Sequence, residues 1–125
     1  MKMLDSNSDM YRIVGCAFAV YNTLKAGYLE SVYEKALEWE LLDAGFSVRR
    51  QVRIPVFYNG VDLKRDFYAD IVVDGTIIIE LKAVSSLRKE HEAQLRSYLK
   101  ATNRTEGLLI NFGNLRRVEW RAVSL

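Results

Sequence analysis

Three side chains stand where their neighbours give no structural reason for a charge. Glu80 and Lys82 interrupt the apolar run Ile77, Ile78, Ile79, Leu81, Ala83 and Val84, and Asp70 interrupts "FYADIVV" one strand-like segment earlier. Such near-continuous hydrophobicity marks a central strand covered on both faces. An ionised side chain left there without a partner costs several kcal/mol even after relaxation. The charges therefore either neutralise one another or are held for chemistry. Lys82 can neutralise one carboxylate, which leaves the second over. Two carboxylates and one ammonium converging on one side of a strand form a cradle for a hard divalent cation and a hydrolytic water.

Convergence depends on the turn at Asp74-Gly75. A strict two-residue turn pairs position 73 with 76 and 70 with 79, which sets Asp70 and Glu80 on opposite faces. A three-residue loop with Gly75 as a left-handed bulge pairs 72 with 76 and 70 with 78. Asp70 then lies diagonal to Glu80 on one face, and Lys82 joins them because i and i+2 share a face. The chemistry requires the second arrangement and predicts an odd residue in this connection.

The elements that carry these residues can be read from periodicity. Met10, Ile13, Val14, Ala17, Phe18, Tyr21 and Leu24 fall at helical spacing after a Ser8-Asp9 cap, which predicts a helix near 9 to 25. Gly27 interrupts it, and Leu29, Val32, Tyr33, Ala36, Leu37 and Leu41 repeat the stripe as far as Gly45. From Phe46 the period is two, with strand-like runs at 46 to 58, 61 to 73 and 76 to 84 separated by Asn59-Gly60 and Asp74-Gly75. These predict an antiparallel meander, with Pro55 marking an edge or bulge in its first strand. A third helix near 87 to 101 leads through Asn103 to the strands "EGLLINF" and "RRVEWRAV". The order is ααβββαββ, an α/β domain over residues 1–125 in which a mixed sheet is backed by an N-terminal helical hairpin.

An aspartate, a β-turn and a strand bearing E-x-K, here Asp70 followed by Glu80-Leu81-Lys82, is the signature of the PD-(D/E)XK nuclease superfamily. Three further pieces accompany it: Gly27, Glu30 and Tyr33 in "GYLESVY", Gln94 and Tyr98 in "QLRSY", and "LLINF". Together they resemble the small GxxExxY family of that superfamily, over nearly the whole chain from Ile13 to Phe112. Two positions depart from its pattern: Ala69 stands where a proline commonly precedes the aspartate, and Lys25-Ala26 where related chains often read Gly-Pro. The resemblance implies a restriction-endonuclease-like fold and Mg²⁺-dependent hydrolysis of phosphodiester bonds in nucleic acid, DNA first, with Mn²⁺ as a substitute ion. It implies that Asp70, Glu80 and the Leu81 carbonyl bind the metal and that Lys82 orients the water or offsets phosphate charge. Glu30 would assist through water, and Gln94 with Tyr98 would face the substrate or the lysine. Each of these last three also has a structural reading: a carboxylate in the first turn of a helix favours its dipole, and a pair one helical turn apart can hold a loop.

Composition narrows the setting. No apolar stretch approaches a membrane span and the N-terminus lacks a signal-peptide pattern, so a cytoplasmic protein is expected. The single cysteine, Cys16, reads as a reduced buried thiol, and the single histidine, His91, as structural, since a lone imidazole makes no zinc site. A net charge of +2 does not diagnose a nucleic-acid partner. Arg49, Arg50 and Arg53, Lys64 and Arg65, Arg88 and Lys89, and Arg116, Arg117 and Arg121 are each read first as solvated surface, and together as a rim facing phosphates. The alternatives are a nucleic-acid-binding module without turnover and a protein-interaction domain anchored by Trp39 or Trp120. The oligomeric state is left open, a homodimer included.

Overall fold

The computed structural model describes residues 8–125. Helices α1 (Asp9–Leu24) and α2 (Glu30–Asp43) form a hairpin; strands β1 (Val48–Ile54), β2 (Phe57–Tyr58), β3 (Val61–Asp62), β4 (Phe67–Val73) and β5 (Ile77–Lys82) follow. Helix α3 (Lys89–Thr102) then crosses to β6 (Glu106–Asn111) and β7 (Glu119–Ser124). The main sheet has the order β1-β4-β5-β6-β7, antiparallel except for the β5–β6 pair. A parallel neighbour needs a long crossover, which α3 supplies. The caps follow the sequence: the Ser8 hydroxyl accepts the Tyr11 N–H at 3.1 Å, and Asn103 closes α3 in the left-handed conformation.

Strand β5 sits at the centre, and the apolar face of α1 and α2 meets one side of it while α3 covers the other. Ile77, Ile79 and Leu81 pack with Ile13, Tyr33, Leu37 and Leu41. Ile78 packs with Leu95, Leu99 and Leu109 on the α3 side. Burial on both faces explains the unbroken apolar run, and each such side chain contributes about 1.5–3 kcal/mol.

The first two of the three strand-like runs are each split into two strands. Pro55 has no N–H to donate, so β1 stops at Ile54 on the edge of the main sheet. The Asn59-Gly60 turn belongs to a separate two-stranded sheet, β2–β3. Beyond it the Asp62 carboxylate accepts the Lys64 N–H at 2.8 Å, and Lys64 takes a φ of +54°, which turns the chain before β4 begins. The wing formed by β2 and β3 is tied to β1 by Arg53, which pairs with Asp66 at 2.6 Å and Asp62 at 3.4 Å.

The Asp74-Gly75 connection holds an odd residue, as the chemistry required, but in another place. Thr76 donates its N–H to the Val73 carbonyl at 3.0 Å, and the ladder starts with Val73 opposite Ile77, so Thr76 is the extra residue. The turn is anchored to the start of β1, where Asp74 exchanges two hydrogen bonds with Ser47 at 2.8 and 2.9 Å. In this register Asp70 falls opposite Glu80 itself, and the diagonal pairing of 70 with 78 is not formed.

Candidate functional site

The ladder between β4 and β5 ends at Ile71 opposite Ile79. Past that pair the strands fork, and the two carboxylates fill the fork. Leu81 donates its N–H to Asp70 Oδ2 at 2.8 Å, and Asp70 donates its own N–H to Glu80 Oε1 at 3.2 Å. Each side chain thus replaces a main-chain bond that the fork removes, which answers how a charge-bearing strand can be so deeply buried.

The fork has a cause in β1 and β4. Val48 and Val73 pack toward α1 and α2, whereas the paired Val52 and Ala69 pack toward α3, although strict alternation would leave all four on one face. The change of face falls at Gln51 and Asp70, and Gln51 carries a φ of +52° in mid-strand, a conformation that costs a non-glycine residue of order 1 kcal/mol or more. Its side chain is held: Gln51 Nε2 donates to Glu34 Oε1 at 2.7 Å and lies 3.4 Å from Asp70 Oδ1. Buried Glu34 also accepts from Arg50 at 3.1 Å, and Arg50 reaches Glu38 as well.

Burial and crowding act together on the acids. Loss of solvent, followed by the charge of Asp70, pushes the Glu80 pKa up to about 8. Desolvation also raises Asp70, against the opposing pull of the Leu81 N–H. Glu30 is raised by desolvation and then by Asp70, while Lys82 pulls it the other way. The Tyr98 hydroxyl is raised by burial and then by the charge of Glu80. Lys82 forms no ion pair with either carboxylate among the described residues; its ammonium donates to Gln94 Oε1 at 3.3 Å. The neutralising pair that would have explained these charges structurally is therefore not made.

Glu30 is placed by the motif around it. Gly27 takes a φ of +127°, which disfavours any side chain, and so turns the chain between the two helices. The Tyr33 hydroxyl donates to the Lys25 carbonyl at 2.6 Å and accepts the Tyr28 N–H at 3.1 Å, while its ring stacks on Phe112 at 4.7 Å. Clasped in this way, the turn sets Glu30 as the first residue of α2, where it lines a pocket of about 220 Å³ with Glu34, Gln51, Asp70 and Leu81. On the other side of β5, Asn111 holds the segment that follows Lys82: it accepts the Val84 N–H at 2.9 Å and donates to the Val84 carbonyl at 2.8 Å. Gly113 lies so close to the Val84 backbone that a Cβ would collide with it.

The structure thus gathers Asp70, Glu80, Leu81, Lys82 and Gln94, with Tyr98 and Glu30 facing the carboxylates from α3 and α2. His91 instead accepts the Arg88 N–H at 3.0 Å and caps α3. Cys16 is buried, with its thiol raised by burial. Several cations of the expected rim serve structure: Arg50 and Arg53 in the pairs above, and Arg121 with Glu92 at 2.9 Å. Glu34 and Gln51 were not legible as site residues. Glu34 sits one turn after Glu30, a spacing that marked the helix face, but nothing in the sequence distinguishes Gln51.

The donor chemistry fits a hard divalent cation. Two carboxyl groups whose ionised forms are destabilised by burial and mutual repulsion gain from a positive charge between them. In a strand the N–H and C=O of one residue point to the same edge, so the Leu81 carbonyl faces the β4 side with its N–H. Among the described residues no three His, Cys, Asp or Glu side chains gather as a cage, so carbonyl oxygen and water would complete the shell.

Comparisons with known proteins bear on the fold and the family. No curated protein matches the chain. Among solved structures, the crystal structure of SSO0001 superposes with a TM-score of 0.60 at 22% identity, covering 75% of this chain and 50% of that one, so this chain spans half its length and shares its fold. The sequence model of the PD-(D/E)XK nuclease superfamily matches residues 7–123. With that match spanning nearly its full length, the chain belongs to the PD-(D/E)XK nuclease superfamily.

Proposed function

We propose that this chain is a divalent-cation-dependent nuclease of the GxxExxY kind, hydrolysing phosphodiester bonds in DNA. The observation that carries the reading is the fork, where Asp70 and Glu80 meet beside a lysine that forms an ion pair with neither of them. Asp70, Glu80 and the Leu81 carbonyl would hold Mg²⁺ or Mn²⁺. When bound, such an ion polarises the phosphate and lowers the pKa of a coordinated water. Lys82, steadied by Gln94, would orient the attacking water or offset charge on the phosphate as it becomes pentacovalent. Glu30 would accept a proton through water, a task its raised pKa suits. Tyr98 would donate its hydroxyl toward the phosphate, since its raised pKa keeps the proton in place.

The test is a titration of Mg²⁺ and Mn²⁺ against end-labelled DNA and RNA, comparing parent and Lys82→Ala. Cleavage that needs the ion and falls by about 10²-fold or more in the variant supports the reading. Cleavage that survives in Lys82→Ala moves the activity elsewhere. A nucleic-acid-binding module without turnover is the second reading, favoured by the hydrogen bonds that already satisfy both carboxylates; binding without cleavage at any ion concentration would select it.

A further inference from the structure

A second concavity adjoins the fork on the α3 side. It encloses about 610 Å³ between the β2–β3 wing and α3, within the range of small-molecule sites, and Phe57, Phe67, Gln94, Tyr98 and Lys100 line it. Two of these residues also belong to the candidate site: Gln94 accepts from Lys82, and Tyr98 feels the charge of Glu80. Tyr98 and Phe67 lie 5.8 Å apart between ring centroids, and Phe57 lines the same groove. Phe57 is 59% exposed and Phe67 42% exposed, a state that packing does not explain in a domain with two well-filled cores.

We infer that this groove holds an unpaired nucleobase next to the scissile phosphate, so that the substrate is single-stranded nucleic acid or a frayed end. The inference rests on the nuclease reading for the position of the phosphate. Stacking on an aromatic ring is open to every base and closed to a paired one, because a base inside a duplex already spends both faces on its neighbours. Phosphate needs positive charge nearby, and Lys100 in the groove makes no ion pair among the described residues. The acids of the wing, Asp62 and Asp66, are already occupied by Arg53. Those same pairs fix the wing on β1, so the platform is formed before a strand arrives.

The test measures binding in EDTA at one fixed salt concentration, with a fluorescent 12-mer as single strand, as blunt duplex, and as single strand with one abasic position. The parent should bind the single strand about tenfold or more tightly than the duplex. Phe57→Ala, which removes an exposed ring and should leave the melting temperature unchanged, should weaken the intact strand about tenfold. The same substitution should leave a strand that is abasic at the groove unaffected, and Phe67→Leu, which keeps apolar contact with Tyr98, should repeat the pattern. A 2-aminopurine at the position that reaches the groove should be quenched by the parent only. Equal affinity for duplex and single strand, or a Phe57→Ala that binds like the parent, overturns the inference. If Phe57→Ala leaves strand affinity alone and turns a dimer into a monomer, the groove belongs to a second copy and the inference is also overturned. Mg²⁺-dependent cleavage by the same proteins, assayed separately without EDTA, reports on the nuclease reading: stacking without cleavage leaves the groove standing, and cleavage without stacking leaves the nuclease standing.

Discussion

At pH 7 the Glu80 carboxyl, with its pKa pushed up to about 8, keeps in the folded chain a proton that it surrenders on unfolding. Stability from this group is complete below the unfolded value of about 4.5 and is lost as the pH climbs through the folded value. The raised values of Asp70 and Glu30 act in the same direction. Urea melts of the metal-free protein should therefore lose midpoint between pH 5 and pH 8.5, with roughly 5 kcal/mol as the ceiling for Glu80 alone. Glu80→Gln keeps an oxygen that can accept the Asp70 N–H and removes the charge, so its melting temperature at pH 8 should exceed the parent's. Its pH dependence should flatten, and it should lose the Mg²⁺-dependent rise that mass action gives the parent. A variant about 3–5 kcal/mol less stable beside a metal-indifferent parent would mean that Glu80 is a structural counter-charge for Lys82.

At the scale of the element, the G-x-x-E-x-x-Y segment works as a clasp whose parts can be removed separately. Tyr33→Phe keeps the stack on Phe112 and strips partners from the Lys25 carbonyl and the Tyr28 N–H, at an expected cost of about 1–3 kcal/mol. Gly27→Ala should cost a similar amount through its φ of +127°. If the clasp positions Glu30, cleavage assayed well below either melting temperature should fall in both variants, whereas a purely structural clasp would leave it unchanged. Helices α1 and α2 were legible from apolar residues at helical spacing, although Leu29 and Val32 of the second stripe are exposed and α2 has no side-chain N-cap, and β5 because burial on both faces leaves few polar choices. The candidate acids were legible for the opposite reason, being charges in an apolar context. What escaped was geometry that depends on a partner strand. The register at Thr76 is set with Ser47, just before β1, the end of β3 by the Asp62 turn, and the change of face at Gln51 by Glu34 of α2. None of these leaves a periodic trace.

For the molecule as a whole, no helix among the described residues is long and apolar enough to cross a membrane, and only Arg12, Arg50, Arg53 and Arg121 of the described cations form ion pairs. The central strand has one neighbour that is close in the chain and one that is distant: β4 is reached through a three-residue loop, β6 only after α3 has crossed the sheet. That asymmetry has a consequence in time. A hairpin closes in microseconds, whereas a parallel pair must first overcome the closure entropy of its crossover. Asp70 and Glu80 are then forced together early, before α3 brings Gln94 to Lys82, and their repulsion falls on the rate of folding as well as on its equilibrium. Stopped-flow refolding in a Trp39→Phe background, followed by the fluorescence of Trp120, which packs at the edge of the helical-hairpin core, should be slower at pH 8.5 than at pH 6, and Glu80→Gln should remove most of that difference. A refolding rate indifferent to pH, with all the pH dependence in unfolding, would put the meeting of the two acids after the barrier, making the closing of the fork one of the last events in the life of a new chain.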